Sequence, residues 1–400
     1  MRHGLTLAAL LAASMALTAA RMSVRPLAPD ESRIASAAKT LAAHGARDAD
    51  GRRLPIFVRA DDNRWLAPLP VYATAVISMV ASEATAVRWA AVIAGSLSVL
   101  LVYAVAVELF ASRLLAVGAA ALLLCTPAHL AHSRMATEDG IWPLPFLAAW
   151  LLAVIRFVDP ESPRGRAPLA GGAAALAVSA YTQPSAPLMV PIFGAAGLAA
   201  IYRSGRLRWS ELRPASAAFA IALVPLIVWF ATHPSTYEAT LGRWTLHQAH
   251  VRNPVLWARA ASNWITLSAC SGIFWDFFSP SHLFLNAAAP GAAGVFLAPI
   301  GVLIAIGVRG ALRGWRAGKP RSTIDLLIVA AFVAAPLAAA TFKEPRAIQR
   351  ALAIAPCGAL LAMRGLAALI PHDRLLGRVA GALLLIGAAV QFVWWYRNLL

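Results

Sequence analysis

The chain has 400 residues, of which 60% are hydrophobic and 13% are charged, and its mean hydropathy is +0.68. A soluble protein of this length could not bury so much apolar side chain in one core. Several nearly uncharged stretches approach twenty residues, long enough to cross a bilayer as helices and too long for barrel strands. The composition therefore predicts an all-α, multi-pass integral membrane protein. The net charge of +17 is explained by basic loops that set orientation and contact anionic lipid, and no nucleic-acid partner is expected.

About eleven segments are predicted to span the membrane. They are residues 4–20, 86–109, 113–131, 140–157, 167–182, 185–202, 215–232, 288–308, 324–341, 350–370 and 377–396. The first segment ends in small residues and also fits a signal peptide cleaved after Ala20, although we favour its retention as an anchor. Residues 65–82 are apolar enough to span, but Pro68 and Pro70 lie at their start.

The distribution of basic residues decides how residues 65–82 are interpreted. If this segment lies in the interface and the N-terminus is inside, the three short Arg-rich loops near residues 156–166, 203–213 and 309–321 all face inwards. That arrangement satisfies the positive-inside bias. It makes residues 21–85 a first outer loop with interfacial helices and residues 233–287 a long outer loop. A cell-membrane (plasma or inner) protein with its active site on the outer (periplasmic or extracellular) side is the resulting expectation.

Two adjacent acids, Asp30 and Glu31, follow the first span in the sequence "PLAPDESRIA". Behind them Ile34, Ala38 and Leu41 recur at helical spacing, which predicts a short amphipathic helix on the membrane surface. One interpretation makes Asp30 the N-cap of that helix. The other gives it a catalytic role, because the chain contains few acids and places two of them here.

Other polar candidates are predicted to lie on the same outer side. In "HSRMATEDG" a charge at the membrane edge is costly unless it is paired or functional, so Arg134 forms either a structural pair with Asp139 or Glu138, or part of a site. "FKEPRAIQR" places Lys343, Arg346 and Arg350 together, and the last two share a helix face suited to binding phosphate or lipid headgroups. Candidate substrate-lining residues are Tyr181, Gln183, Glu138 and His282. For "SAYTQPSAP" a plain helical hairpin turn is the alternative.

The order of these segments resembles a known enzyme family. "PDE", "AVRWAAVIAGSLSVLLVYAVAVELF" and "PAHLAHSRMATED" follow one another, and "FSPSHLF" (278–284) and "IQRALAIAPCGALLAMRGLAAL" (348–369) come later. The pattern is similar to the polyprenyl-phosphate-dependent GT-C glycosyltransferases, in particular the protein O-mannosyltransferase and aminoarabinose-transferase group. It is best over residues 1–200. Many of these enzymes carry a soluble domain after the last span, and the sequence ending at Leu400 is expected to form a single transmembrane domain over 1–400 without one.

The resemblance implies a site and a reaction. An acid in the first outer loop acts as the catalytic base in that family, which points to Asp30 with Glu31 beside it, and a second acid lies where Asp139 stands. The donor is a sugar on a polyprenyl phosphate, and the acceptor is a hydroxyl or amine on protein, lipid or glycan. Charge grows on the leaving phosphate, so Arg346, Arg350, Lys343 and Arg134 are candidates to bind it.

No cofactor is required by this chemistry, although Asp30 with Asp139 could bind a divalent ion. Two other functions compete with it. A transporter would need polar residues at the midplane of several spans, whereas these acids lie near span ends. A non-catalytic membrane scaffold would tolerate substitution of Asp30 and Asp139.

Overall fold

The structure is a computed structural model that describes residues 2–22, 26–61, 64–110, 112–159, 166–237, 240, 259, 262–285, 293–319, 321–342, 347–370 and 375–399. It is almost entirely helical, with one two-stranded antiparallel hairpin. The elements in chain order are α1 (Arg2–Ala19), α2 (Pro29–Ala43), β1 (Val58–Asp61), β2 (Arg64–Leu66), α3 (Pro68–Ser78), α4 (Glu83–Phe110), α5 (Arg113–Leu124), α6 (Pro127–Ser133), α7 (Leu144–Val158), α8 (Arg166–Ser179), α9 (Ala186–Arg203), α10 (Trp209–Thr232), α11 (Pro234–Tyr237), α12 (Trp264–Asp276), a π-helical turn (Ser281–Leu285), α13 (Ala298–Arg316), α14 (Ser322–Ala339), α15 (Ile348–Ala351), α16 (Ile354–Leu369) and α17 (Leu375–Leu399).

Every predicted span overlaps a helix, which confirms the helical membrane fold. Within the described ranges, six helices are long and apolar enough to cross a bilayer, and a bent pair, α5 with α6, raises the number to seven. The pair bends by 64° just before Pro127, because proline removes a helix hydrogen bond and its ring clashes with the preceding turn. The predicted count of eleven also includes α1, α7, α8 and α16, which are shorter apolar helices. The exact number of spans therefore stays a prediction.

One predicted boundary is wrong. The segment predicted at 288–308 begins its helix at Ala298, where Pro299 occupies the first turn, a position that proline favours. Residues 293–297 precede the helix as irregular backbone, with Val295 and Phe296 buried.

The predicted first outer loop forms a small folded layer against one end of the bundle. Helix α2 packs on α3 and α4, and burial of Ile34, Ala38 and Leu41 confirms its predicted amphipathic face. Helix α3 has 11 residues, about 16 Å at 1.5 Å per residue, so it is too short to span a bilayer of roughly 30 Å. The β1–β2 hairpin was not predicted. Its two strands pair Val58 with Leu66 and Arg59 with Trp65.

The core is held by closely packed small residues as well as by apolar side chains. Helices α13 and α16 cross at Gly307 and Gly365. A Cβ added to either glycine would collide with a backbone carbonyl of the other helix, that of Leu361 or of Leu303. Such close approach is the means by which membrane helices gain contact area. The α1–α4 contact uses a hydroxyl pair, Ser14 with Ser96, at 2.9 Å.

The three Arg-rich segments meet at the end of the bundle opposite α2. Arg321 pairs with the buried carboxylate of Asp159 at 2.8 Å, and Arg206 donates to the Asp159 carbonyl at 2.7 Å. Arg203 lies over the Trp315 ring at 5.5 Å. The basic loops therefore share one end, which we name the basic end. Because α7 runs from Leu144 to Val158, "HSRMATEDG" lies at the other end.

Candidate active site

Helix α2 begins one residue before the two acids. Ala28 is the N-cap and Pro29 follows it, so Asp30 and Glu31 lie in the first turn, where the helix dipole favours negative charge. The interpretation of Asp30 as the N-cap is therefore wrong. Glu31 supplies the capping contact, since its Oε2 accepts the Ala28 N–H at 2.9 Å.

The carboxylate of Asp30 faces two guanidinium groups and remains accessible. Nη1 of Arg33 lies 2.6 Å from Asp30 Oδ1, and Nη2 of Arg64 lies 3.4 Å from the same oxygen. The Asp30 side chain is 33% exposed. An acid that is held in place by arginines yet open to solvent can receive a proton from an incoming group.

Glu138 joins the first loop to the "HSRMATEDG" turn. Nε of Arg64 lies 2.9 Å from Glu138 Oε1, and Nη1 of Arg33 lies 3.7 Å from it. Burial raises the pKa of Glu138 above its ordinary value, an effect opposed by the hydrogen bond and charge of Arg64 and reinforced by the negative charges of Asp30 and Asp139. Glu138 therefore lies close enough to both Asp30 and Asp139 to be repelled by them.

Asp139 completes the group through Arg350. Arg350 Nε donates to Asp139 Oδ2 at 2.8 Å, and its side chain is only 6% exposed. Its guanidinium also lies 4.6 Å from the centre of the Phe342 ring. We call Asp30, Glu138 and Asp139, with Arg33, Arg64 and Arg350, the carboxylate–arginine cluster.

Glu31 points away from this cluster although it is next to Asp30, because successive residues on a helix are about 100° apart. Its carboxylate accepts two hydrogen bonds from Arg88, at 3.2 and 3.1 Å, and one from the Ala136 N–H at 3.4 Å. Both side chains of the pair are buried, with exposures of 3% for Glu31 and 7% for Arg88. Glu31 thus ties the start of α2 to the turn that precedes Glu138.

The remaining candidates occupy different places. Gln183 Oε1 accepts the Gly140 N–H at 2.8 Å and so supports the backbone next to Asp139. Tyr181 is a cross-link to α10, donating to the Ala222 carbonyl at 2.6 Å and accepting the Leu226 N–H at 3.1 Å. His282 is buried against Phe277. Lys343 and Arg346 lie outside the described residues.

Arg134 reaches the end of the first helix. It donates to the carbonyls of Leu17, at 3.2 Å, and of Ala20, at 2.6 Å, where a cation offsets the negative end of the helix dipole. Glu138 pairs with Arg64 and Asp139 pairs with Arg350, so arginines of the cluster hold the two acids of this turn.

Sequence reasoning missed three arginines. Arg33 stands three residues after Asp30, a spacing that places two helical side chains on one face, and this signal could have found it. Arg64 belongs to an unpredicted strand, and Arg88 looks like the boundary residue of an apolar span. Nothing in their sequence positions marks Arg64 as a partner of Glu138 or Arg88 as a partner of Glu31.

Among the described residues no group of three or more His, Cys, Asp or Glu is arranged to hold a metal ion.

Comparison with known proteins bears on the fold. A family model described as dolichyl-phosphate-mannose-protein mannosyltransferase matches residues 66–240. The chain is similar to the crystal structure of ArnT from Cupriavidus metallidurans bound to undecaprenyl phosphate, with a TM-score of 0.63 and 16% identity over 96% of this chain and 62% of that one. The apo structure of ArnT gives 0.62 and 16% over 98% and 63%. This chain has the GT-C fold.

The GT-C fold confirms the resemblance inferred from the order of the sequence motifs. No curated protein matches the chain by sequence, and the chain spans a little over three-fifths of the ArnT chains that it resembles. The range matched by the family model includes Arg88, Glu138 and Asp139 but neither Asp30 nor Arg350. The GT-C fold of this chain brings these outlying residues against the matched part.

Proposed function

We propose that the chain is a membrane glycosyltransferase that moves a sugar from a polyprenyl-phosphate donor to a hydroxyl or amine acceptor. The observation that carries the proposal is the carboxylate–arginine cluster, in which an accessible acid adjoins cationic groups at one end of a GT-C fold. The similarity to a family of dolichyl-phosphate-mannose transferases and to ArnT, crystallised with undecaprenyl phosphate, supports this donor class.

Asp30 is the proposed base. The acceptor O–H or N–H gives its proton to the Asp30 carboxylate while the acceptor atom forms a bond to the anomeric carbon. The bond from that carbon to the phosphate oxygen breaks, and the electron pair leaves with the phosphate. Attack from the side opposite the phosphate inverts the anomeric configuration and needs no covalent intermediate. Asp30 is favoured over Glu31, whose carboxylate is already occupied by Arg88 and two backbone N–H groups.

Arginines are proposed to stabilise the negative charge that develops on the leaving phosphate. The phosphate changes from a diester to a monoester, so it gains negative charge in the transition state, which paired guanidinium N–H donors stabilise. Arg64 stands between Asp30 and Glu138, within reach of a phosphate next to the base. Arg350 is held by Asp139, and Lys343 and Arg346 precede it in the chain and remain candidates from the sequence. Arg134, which contacts α1, is left out of this set.

The cluster is proposed to face the outer side of the membrane. The basic end lies at the opposite end of the bundle, and the positive-inside bias assigns that end to the cytoplasm. Donor sugar and acceptor would then meet at the periplasmic or extracellular surface of the cell membrane, with the polyprenyl chain in the bilayer.

The decisive experiment is transfer from a radiolabelled polyprenyl-phosphate sugar by purified protein carrying Asp30→Asn. Asparagine keeps the size of the side chain but accepts no proton, so we expect turnover to fall on the order of a hundredfold or more with no loss of thermal stability. Asp50→Asn is the matched control, because Asp50 is a similarly exposed acid of the same loop that pairs with Arg52 away from the cluster. Turnover by Asp30→Asn near that of the control would remove Asp30 from the mechanism.

A transporter or a scaffold would behave differently in the same assay. A transporter would move labelled donor across vesicles without forming product, and a scaffold would show neither activity. Product formation that depends on Asp30 excludes both.

A further inference from the structure

The turn between α8 and α9 buries polar side chains close to the carboxylate–arginine cluster. It comprises residues 180–185, within the "SAYTQPSAP" sequence, and we call it the α8–α9 turn. Thr182, Gln183 and Ser185 are 0%, 1% and 0% exposed. A turn that only reverses the chain ordinarily runs over the surface with its polar groups in water. The buried side chains of this turn therefore have contacts inside the protein that need an explanation.

One contact of the α8–α9 turn lies beside the acids of the "HSRMATEDG" sequence. Gln183 Oε1 accepts the Gly140 N–H at 2.8 Å, and Gln183 Nε2 donates to Ser185 Oγ at 2.7 Å, so both ends of the amide are used within the protein. Gly140 has a φ of +144°, a conformation that favours glycine. A Cβ at this position would lie 3.2 Å from Thr137 Oγ1. Gly140, the residue that follows Asp139, is therefore closely confined.

A second contact of the α8–α9 turn reaches the segment that carries Arg64. The Tyr181 carbonyl accepts the Leu69 N–H at 3.2 Å. Leu69 lies in the first turn of α3, where a backbone N–H has no acceptor within its own helix. Residues 66–68, which join β2 to Leu69, are buried. The position of Leu69 is thus passed to Arg64 through a short and packed segment.

The α8–α9 turn therefore connects the two segments that meet at the centre of the cluster. There Arg64 Nε lies 2.9 Å from Glu138 Oε1, and the turn bonds to the backbone shortly after each of these residues. The turn is itself anchored to α10, because the Tyr181 hydroxyl contacts the Ala222 carbonyl and the Leu226 N–H. Misplacement of a catalytic group by about 1 Å can cost on the order of a hundredfold in rate. A fixed junction at this point keeps the acids and arginines in their relative positions.

We propose that Gln183 is a positioning residue of the glycosyltransferase. Through Gly140 it fixes the two acids of the turn, Glu138 and Asp139, relative to their arginines. It acts through the backbone and not by contact with the substrate, because both ends of its amide have partners within the protein. Its effect on transfer rests on the proposed function, whereas its hold on the turn does not.

The first measurement is hydrogen–deuterium exchange of the purified protein without substrate. Gln183→Leu removes the acceptor, so the peptide that contains Gly140 should exchange about tenfold faster, the change expected for one hydrogen bond. Gln183→Ser is too short to reach Gly140 and leaves room for water, so it should behave alike and keeps the test available if Gln183→Leu does not fold.

Thr182→Val is the matched control for both Gln183 variants. Thr182 is buried in the same turn, but its hydroxyl donates to the Ser179 carbonyl of α8, at 2.6 Å. Its loss should leave the exchange of the Gly140 peptide as in the wild type. Equal exchange in the Gln183 variants and in Thr182→Val would overturn the proposal.

Transfer kinetics then separate positioning from a purely structural contact. The kcat/KM for a polyprenyl-phosphate sugar should fall about tenfold to a hundredfold in Gln183→Leu and stay near the wild-type value in Thr182→Val. Arg350→Lys disturbs Asp139 from its other side, so its effect and that of Gln183→Leu should combine to less than their product. A full product, or a normal kcat/KM in Gln183→Leu, would overturn the positioning role. If the wild type shows no transfer but the exchange difference persists, the hold of Gln183 on the turn is supported and the proposed function fails.

Discussion

The buried pair of Glu31 and Arg88 is predicted to control both the stability of the first loop and turnover. Replacing Glu31 with Ala leaves the Arg88 guanidinium, 7% exposed, without its counter-charge. Breaking a buried ion pair on one side typically costs about 3–5 kcal/mol, and the Ala28 and Ala136 N–H groups lose their acceptor as well. We therefore expect Glu31→Ala to lower the free energy of unfolding by about 3–5 kcal/mol and to reduce kcat through displacement of Asp30.

A double-mutant cycle separates the pair from general damage to the fold. Arg88→Met alone should be as destabilising as Glu31→Ala, because it leaves a buried carboxylate unpaired. Glu31→Ala combined with Arg88→Met removes both charges, so its effect should be clearly smaller than the sum of the two, with a coupling energy above about 1 kcal/mol. Unfolding in mixed micelles, followed by tryptophan fluorescence, measures all four proteins. Additive effects would refute the argument that the two charges stabilise the loop as a pair.

Three other predictions concern the cluster and its side of the membrane. Burial raises the pKa of Glu138, so on acidification its carboxyl takes up a proton at a higher pH than an ordinary glutamate does and then loses its ion pair with Arg64. Turnover should fall over this pH range, and the pH–rate profile of Glu138→Gln should lack this acidic limb. Arg350→Lys should raise the donor KM or lower kcat by about tenfold or more, because lysine cannot reproduce the guanidinium geometry toward Asp139 and phosphate, which initial-rate kinetics will show. Single cysteines at Asp50 and Lys319, in a background without native cysteines, should label from opposite sides of the membrane; labelling from one side would contradict the proposed orientation.

Sequence reasoning predicted the helices well and their partners poorly, for a physical reason. Apolar length is a local property, so the spans and the amphipathic face of α2 could be predicted from residues close together in the chain. The pairing of Asp139 with Arg350 joins residues 211 positions apart. Asp139 is a candidate because a charge at the membrane edge is costly unless it is paired or functional, and Arg350 because it shares a helix face with Arg346, but nothing local says which arginine meets which acid.

The two arginines that bridge the site show where local reasoning stops. Arg64 lies in a strand of three residues, too short for a recognisable alternating pattern, and its function follows from contacts with Asp30 and Glu138 that lie 34 and 74 positions away. Arg88 lies at the start of an apolar helix, where a basic residue is ordinarily an interfacial anchor. Only folding of the first loop onto α4 makes it the partner of Glu31.

The same folding explains why two adjacent acids are present after the first span. A helix start directs Asp30 and Glu31 to different sides, so one carboxylate can be buried for support while the other stays accessible for chemistry. The burial is not symmetrical: Glu31 is 3% exposed with a charged partner, and Asp30 is 33% exposed among arginines of the cluster. Exchanging the two residues would therefore keep composition and local charge but reverse these positions. The double variant Asp30→Glu/Glu31→Asp places the shorter side chain opposite Arg88 and the longer one in the cluster, and we expect it to lose both stability and turnover, as thermal unfolding and the transfer assay would measure. Retention of both properties would mean that the two acids are interchangeable and that the division of labour between them is absent.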